Sequence, residues 1–240
     1  MPAPVDLLPL AVTWERVQER LHRAAQRAGR RPEDIEVVAV TKNQPVERMR
    51  EAFGLGLTQW GESRVQEAAA KRETLSRRFL ADRAPRWHLI GHLQSNKARR
   101  AVELFDCLQS VDSLKLAEIL SVEGSRRGRP VSCLVEIKIS REDLKQGVPP
   151  ENLESFLEQT SRLPHLRVEG LMGLAPLSDD PAAAREAFRS LRRLFDRHRA
   201  QFRSAPPVLS MGMSSDFEVA VEEGSTMVRI GSALFGPRPT

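Results

Sequence analysis

The chain contains 240 residues, enough for one α/β barrel domain, and its 37 basic and 32 acidic residues give a net charge of +5. The arginines are spread along helical segments, Cys107 and Cys133 lie in apolar runs, and residues 1–12 contain neither a basic leader nor an apolar run near the roughly 20 residues of a membrane helix. We therefore expect a monomer in the reducing cytoplasm, without a nucleic-acid or membrane partner.

Residues from about 10 to 30 predict a leading helix. Small or apolar residues such as Val17 and Leu21 follow helical spacing there, and Gly29 provides a stop. The pattern then changes, because Glu36–Val40 (EVVAV) is a short β-branched run typical of a buried strand. Pro45–Leu55 returns to helical character, which completes a first strand-then-helix unit.

The same unit recurs along the rest of the chain. Further strands are predicted at Thr58–Trp60, Trp87–Ile90, Cys107–Val111, Cys133–Ile139, Arg167–Leu171, Val208–Ser210 and Met227–Ile230. Further helices are predicted at Arg64–Phe79, Ser95–Phe105, Ser113–Ser125, Pro149–Leu163, Pro181–Phe202 and Asp216–Glu223. Eight such units predict a (β/α)8 barrel over about residues 35–236, within a single domain 1–240. An open doubly wound sheet is the alternative.

Lys42 is the first candidate functional residue, because it stands two residues past the first strand. Barrel enzymes place their working residues at the carboxyl ends of the strands. Partial burial there lowers the pKa of a lysine and favours a Schiff base with a carbonyl compound. A solvated loop lysine is the alternative interpretation.

The loops after strands seven and eight carry a second signal. The first is SMGMSSD, with Met213 and Ser214, and the second begins with Gly231 and Ser232 before a short helix. Phosphate commonly binds at this place in a barrel, held by backbone amides and the helix dipole. A glycine and serine turn without a ligand is the alternative for either loop alone.

Arg229 lies in strand eight and alternates onto the same face as Gly231. An arginine that points into a barrel needs a partner, and Glu62 and Asp216 are candidates for an ion pair. The other candidate partner is the pyridine nitrogen of a pyridoxal cofactor. An arginine at that nitrogen disfavours its protonation and makes the ring a poorer electron sink.

Several motifs resemble the pyridoxal phosphate homeostasis protein family, of the YggS/PROSC type. The resemblance covers about residues 35–236, and its last motif is long and specific. The motifs are VAVTKNQP (38–45), WGESRVQE (60–67), WHLIGHLQSNK (87–97), LMGL (171–174) and LSMGMSSDFEVAVEEGSTMVRIGSALFG (209–236).

The resemblance implies a single barrel similar to the N-terminal domain of alanine racemase, with pyridoxal 5'-phosphate joined to Lys42 as an aldimine. It implies cofactor contacts from Met213–Ser214 and Gly231–Ser232 and a ring-nitrogen contact from Arg229. Family members buffer and deliver this vitamin B6 cofactor without an established catalytic reaction. The implied partners are pyridoxal phosphate and apoenzymes that depend on it.

Two positions depart from the family pattern, namely Thr41 in place of the usual Ser and Ser63 in place of the usual Asn. Thr41 keeps the hydroxyl, whereas Ser63 has a shorter polar arm, which puts a cofactor contact from that position in doubt. Asn96 follows the third strand and is a further candidate for the cofactor site; the alternative is that Ser95 only caps the next helix there.

No metal site is expected. His88 and His92 are four residues apart, but they lie across a strand end without an evident carboxylate or third histidine.

Two enzymatic alternatives remain. A racemase of the alanine racemase type needs a tyrosine base opposite the lysine, and the sequence contains no tyrosine. A Schiff-base aldolase or a phosphosugar isomerase uses the same phosphate loops, but an isomerase needs a carboxylate base on a late strand. The acidic residues Asp179, Asp180, Glu222 and Glu223 lie in loop or helix contexts instead. We therefore expect a cofactor-binding protein rather than an enzyme.

Overall fold

The computed structural model describes residues 8–75, 84–140, 146–178 and 180–237. Within them, parallel strands pair in chain order and close into a barrel. The strands are β1 (Glu36–Val40), β2 (Gln59–Glu62), β3 (Arg86–Leu89), β4 (Cys107–Val111), β5 (Val131–Ile137), β6 (Leu166–Gly173), β7 (Val208–Met213) and β8 (Met227–Ile230). The barrel prediction is confirmed and the open-sheet alternative is wrong, because β1 pairs with β8 from Glu36↔Met227 to Ala39↔Ile230.

Helices alternate with the strands, and every predicted helix has a counterpart. They are α1 (Leu10–Arg27), α2 (Val46–Gly54), α3 (Val65–Leu75), α4 (Ala98–Leu104), α5 (Leu114–Arg126), α6 (Leu153–Ser161), α7 (Pro181–His198), α8 (Phe217–Glu222) and α9 (Ser232–Phe235). The predicted ends 95–97, 150–152 and 199–201 form tighter 3-10 turns. The predicted continuation of α3 to Phe79 lies outside the described residues.

The strands are buried on both faces, which explains their nearly continuous apolar sequences. On the outer face, the ring of Trp60 meets that of Trp87 edge-on, with centroids 5.3 Å apart. Cys107, Leu134 and Met172 form a smaller apolar cluster, which alternation along the strands places on the inner face. The inner face also carries buried polar side chains.

The leading helix α1 packs against α8 and α9. Its apolar stripe, which includes Val17 and Leu21, is buried, as the helical spacing predicts. Thr13 Oγ1 donates to the Leu234 carbonyl oxygen at 2.6 Å, and Arg20 Nη2 lies 2.6 Å from Glu218 Oε2. The first helix is therefore tied to α8 and α9.

Strand β2 ends at Glu62 rather than at Trp60 as predicted. A charged residue at the end of an apolar run usually indicates a loop in the sequence, but Glu62 is fully buried. It accepts hydrogen bonds from Thr41 Oγ1 and from Lys71 Nζ, so partners that are distant in the sequence keep it inside the fold.

Other strand ends also differ from the predicted bounds, by one to three residues. Strand β7 runs to Met213 rather than Ser210, through an irregular register opposite β8, and Gly212 adopts a φ of +96° there. Strand β5 ends at Ile137, where an isolated bridge joins it to Val148.

In the part of the chain that the structure describes, no helix combines the length and the apolar character needed to cross a membrane.

Candidate functional site

A cavity of about 330 Å³ opens at the carboxyl ends of the strands. This volume falls within the range of small-molecule sites. Its lining includes the predicted residues Lys42, Met213, Ser214, Arg229, Gly231 and Ser232. The structure therefore brings together residues that are up to 190 positions apart in the chain, as the sequence analysis expects.

One predicted site residue lies elsewhere. Asn96 is exposed in the turn 95–97 and does not line the cavity. Ser63, in contrast, does line it, so the position that departs from the family pattern faces the site.

Lys42 stands two residues past the end of β1 and is half-buried. The residues on either side of it are fixed by hydrogen bonds. The Thr41 N–H donates to the Gly61 carbonyl oxygen at 2.9 Å, and Thr41 Oγ1 donates to Glu62 Oε1 at 2.6 Å. On the other side, the Asn43 N–H donates to Glu67 Oε1 at 2.5 Å, with Asn43 at a φ of 60°. The backbone that carries the candidate lysine is thus held on both sides.

A second lysine joins these two sides. Lys71 Nζ, on α3, donates to the Thr41 carbonyl oxygen at 2.7 Å, to Glu62 Oε1 at 2.8 Å and to Glu67 Oε1 at 2.6 Å. Lys71 was not predicted from the sequence. Its only local signal was the spacing of four residues from Glu67, which is common on solvated helix surfaces. We call Thr41, Glu62, Glu67 and Lys71 the rear cluster.

Burial raises the pKa of Glu62, while Lys71 and the Thr41 hydroxyl act in the opposite direction. Its second oxygen, Oε2, has no hydrogen-bond partner among the described residues. A buried carboxylate with one unpaired oxygen is costly, so the rear cluster depends on Lys71 for its charge balance.

The loops after β7 and β8 meet at one hydroxyl. Ser214 Oγ accepts hydrogen bonds from the N–H groups of Gly231, at 3.1 Å, and Ala233, at 3.2 Å. The two amides therefore share the Ser214 hydroxyl oxygen beside the cavity, and backbone N–H groups and hydroxyls of this kind are the donors that commonly bind anions. Ala233 was not predicted, because only its backbone takes part.

The shape of the first loop depends on Gly212. Its φ of +96° is unfavourable for residues with a side chain, and a Cβ there would lie 2.5 Å from Ala220 Cβ on α8. Asp216 Oδ1 also accepts the Met213 N–H at 2.5 Å. Together these features direct Ser214 toward the second loop.

Arg229 forms part of the cavity wall and is only 3% exposed. Its Nη1 donates to Ser210 Oγ at 2.6 Å, and its Nη2 donates to the Gly173 carbonyl oxygen at 3.0 Å. Burial lowers the pKa of Arg229 to about 10, against the attraction of Asp216 and Glu136, so the side chain carries its charge at neutral pH.

Of the two expected ion-pair partners of Arg229, Glu62 binds Lys71 instead. Asp216 acts on Arg229 through its charge.

The two histidines lie in different environments. His88 is buried inside the barrel, whereas His92 Nδ1 lies 3.3 Å from Asp112 Oδ2 near the surface. The expectation of no carboxylate near this pair was therefore wrong for His92. Among the described residues, no group of three or more His, Cys, Asp or Glu side chains is arranged to hold a metal ion.

Comparisons with known proteins agree with this geometry. Residues 12–239 match the family model of the alanine racemase N-terminal domain. The chain is 40% identical over 223 residues to the pyridoxal phosphate homeostasis protein of Aquifex aeolicus, covering 93% of this chain and 96% of that one. It is 40% identical over 229 residues to the protein of the same name from Pseudomonas aeruginosa, covering 95% and 96%.

Solved structures give the same assignment. PipY of Synechococcus elongatus, solved with pyridoxal phosphate bound, superposes with a TM-score of 0.79 at 40% identity, over 92% of this chain and 100% of that one. Alanine racemase of Corynebacterium glutamicum superposes with a TM-score of 0.69 at 17% identity, over 94% and 62%, and shows the fold alone. Barrel, cavity and full-length similarity lead to one assignment: the chain belongs to the pyridoxal phosphate homeostasis protein family.

Proposed function

We propose that this chain binds pyridoxal 5'-phosphate covalently through Lys42 and contributes to intracellular homeostasis of the cofactor, by buffering and delivery, without a catalytic reaction of its own. The observation that carries the proposal is the position of Lys42 on the same cavity as the Ser214 loop and Arg229. The names of the relatives and the cofactor bound in PipY support it.

The chemistry of the cavity fits this cofactor. Among the described residues, its lining carries two cationic side chains, Lys42 and Arg229, and no acidic side chain. The Gly231 and Ala233 amides and the Ser214 hydroxyl supply neutral donors beside them. A cavity with this balance favours a dianionic phosphate and an electrophilic carbonyl group over a cation.

Each residue has a distinct role in the proposal. The Ser214 loop and the Gly231 amide hold the phosphate, and Lys42 supplies the amine that forms the covalent link. Pyridoxal phosphate supplies an aldehyde and an electron-withdrawing ring when it is bound. Arg229 faces the ring nitrogen. Because a guanidinium only donates hydrogen bonds, it favours the unprotonated ring nitrogen and weakens the electron sink that amino-acid chemistry requires.

The proposal that the chain is not catalytic rests on its lack of a suitable base. The sequence contains no tyrosine to act opposite Lys42, as a racemase of the two-base type requires. The buried carboxylate nearest along the chain to the site, Glu62, is held by Lys71 and Thr41 and does not line the cavity. A single-base side reaction through Lys42 alone is the remaining enzymatic candidate.

The covalent link is tested with Lys42→Ala. The wild-type protein should bind the cofactor with a visible absorption band, and borohydride should fix the cofactor on the peptide that contains Lys42. The variant should show neither signal while keeping its circular dichroism spectrum, because a residue at the cavity mouth contributes little to the core. Lys97→Ala is the matched control, since Lys97 follows β3 but does not line the cavity. A variant that stays yellow, or a label on another lysine, contradicts the proposal.

The homeostasis role concerns partners, and we infer that these are apoenzymes that depend on pyridoxal phosphate. Loaded protein is mixed with such an apoenzyme in the presence of a trap for the free aldehyde. Activation that persists at high trap concentration supports direct delivery, whereas activation abolished by the trap limits the role to buffering. We also propose that residues 1–240 act as a single-domain monomer, in which α1 braces the cofactor loops through Thr13 and Leu234.

A further inference from the structure

A continuous line of polar side chains runs through the inside of the barrel and ends at Arg229. Arg229 Nη1 is 2.6 Å from Ser210 Oγ, which is 2.7 Å from Gln109 Oε1. Gln109 Nε2 is 3.0 Å from His88 Nδ1, and His88 Nε2 is 2.7 Å from Gln59 Oε1. We call these five residues, from β2, β3, β4, β7 and β8, the interior chain. All but Gln59, which is half-buried, are excluded from solvent.

Arg229 and Met227 determine the directions of the hydrogen bonds in the interior chain. A guanidinium can only donate, so Ser210 Oγ must accept from Arg229. The thioether of Met227 can only accept, so the Gln109 nitrogen Nε2 faces it and the Gln109 oxygen Oε1 faces Ser210. Ser210 therefore gives its one hydroxyl hydrogen to Gln109 Oε1.

The hydrogen-bond directions can be followed from Gln109 to Gln59. Gln109 Nε2 has two hydrogens, which reach His88 Nδ1 and, at 3.2 Å, Met227 Sδ. His88 Nδ1 must then be unprotonated, and the ring hydrogen lies on Nε2 and is donated to Gln59 Oε1. Burial, helped by the charge of Arg86, lowers the pKa of His88 to about 3, in agreement with a neutral ring.

We propose that Ser210, Gln109 and His88 are positioning residues for Arg229: they hold its guanidinium in one orientation, so that its cavity-facing edge is presented to the ring nitrogen of the bound cofactor. The part that concerns the cofactor rests on the proposed function. None of the three residues lines the cavity, so each acts through Arg229.

The burial of Arg229 gives a physical reason for the arrangement. A buried charge needs oriented dipoles or a counter-ion, and the described hydrogen bonds of this guanidinium go to a hydroxyl and a carbonyl oxygen. A carboxylate bonded directly to Arg229 would draw it away from a ligand. The interior chain instead stabilises the charge with neutral groups and leaves it available to the cavity.

The first experiment needs no cofactor. Nitrogen-15 NMR of the His88 ring in the unloaded protein should show hydrogen on Nε2 only, with a neutral ring from pH 5 to pH 8. Gln109→Glu replaces the Nε2 donor with an acceptor at nearly constant size. We expect the His88 proton to move to Nδ1, or the ring to become protonated within this pH range. A wild-type ring with hydrogen on Nδ1, or a variant ring unchanged from wild type, overturns the assigned directions.

The second experiment measures cofactor retention and the absorption spectrum. Ser210→Ala should lose the cofactor about tenfold faster than wild type, because losing a hydrogen bond to a charged group is worth about one order of magnitude or more. Gln109→Leu should also lose it faster, because Ser210 then has no acceptor to hold its oxygen toward Arg229. The midpoint pH at which the absorption band changes should also differ from that of the wild-type protein. Gln109→Glu should retain the cofactor within about twofold of wild type, because its carboxylate still accepts from Ser210.

A cavity at position 109 would not give this pattern, since Leu fills the position at least as fully as Glu does. Met172→Leu is the control, because Met172 is buried inside the barrel and makes none of the described hydrogen bonds. If Gln109→Leu retains the cofactor as well as wild type does, the positioning role is wrong. If wild-type protein takes up no pyridoxal phosphate, the proposed function fails and the cofactor part of this inference fails with it; the NMR result still decides the hydrogen-bond directions separately.

Discussion

Lys71 Nζ donates a hydrogen bond to the carbonyl oxygen of Thr41, at 2.7 Å, on the peptide unit that leads into Lys42. The same amine forms ion pairs with Glu62 and Glu67. One buried lysine thus controls the backbone of the other, and its removal should affect both stability and cofactor binding.

Lys71→Met should lower the free energy of unfolding by about 3 to 5 kcal/mol, because it leaves the Glu62 carboxylate buried without its counter-ion. The double variant Lys71→Met with Glu62→Gln removes the charge as well and should recover part of that loss. Urea denaturation of wild type and both variants measures these values. A single variant as stable as wild type would show that the rear cluster has no such role.

Ser214→Ala should weaken cofactor retention by about tenfold, because the hydroxyl between the Gly231 and Ala233 amides is lost. The melting temperature should change little, since Ser214 is only part-buried. Equilibrium dialysis of loaded protein gives the retention. Ser161→Ala, an exposed hydroxyl on α6, serves as the control, and equal retention by both variants would rule out a phosphate contact from Ser214.

Glu136→Gln should change how stability depends on pH. Burial, together with the negative charge of Asp112 and against the attraction of Arg229, raises the pKa of Glu136 from 4.5 to about 7. The folded chain therefore holds this proton more tightly than the unfolded chain does. The free energy of unfolding falls as pH rises from about 4.5 to about 7, and the full penalty, roughly 3 kcal/mol, is present above pH 7.

The glutamine variant carries no such penalty, so its stability relative to wild type should be greater at pH 8 than at pH 5. Urea denaturation at the two pH values measures this difference. Glu154→Gln, at an exposed position on α6, is the control. A difference that does not depend on pH would contradict the assigned pKa.

Gly212→Ala should destabilise the protein more than Gly56→Ala does. Both glycines have a positive φ, +96° and +86°, so both variants carry the backbone strain of about 1 kcal/mol. Only at Gly212 would the new methyl group collide with Ala220, whereas nothing lies within 4 Å at Gly56. Thermal denaturation compares the two. Equal melting temperatures would mean that α8 moves away at little cost.

The helices and strands could be predicted from the sequence because each has a local pattern of apolar residues. Parallel strands buried on both faces are largely apolar, and most of the longer helices between them carry a clear apolar stripe. Lys42 and the Ser214 loop were found for a related reason. In a barrel, the end of each strand marks the position of the site, so a polar residue just after a strand is informative by its place alone.

The rear cluster and the interior chain were not predicted. Gln109 and Ser210 are 101 positions apart, and each looks like an ordinary strand residue. Lys71 has the spacing of a surface ion pair with Glu67. Such contacts depend on which side chains the closed barrel makes neighbours, and neither propensity nor periodicity contains that information. The cytoplasmic location and the monomeric state stay predictions.

The closure of β1 against β8 has a consequence for biosynthesis. Strand β1, which leads to Lys42, is synthesised early. Its neighbour β8 and the Gly231 amide are synthesised almost two hundred residues later. In the proposed site, the groups for the phosphate are therefore complete only after β8 and Gly231 have been synthesised. Chains truncated before β8 should not bind pyridoxal phosphate.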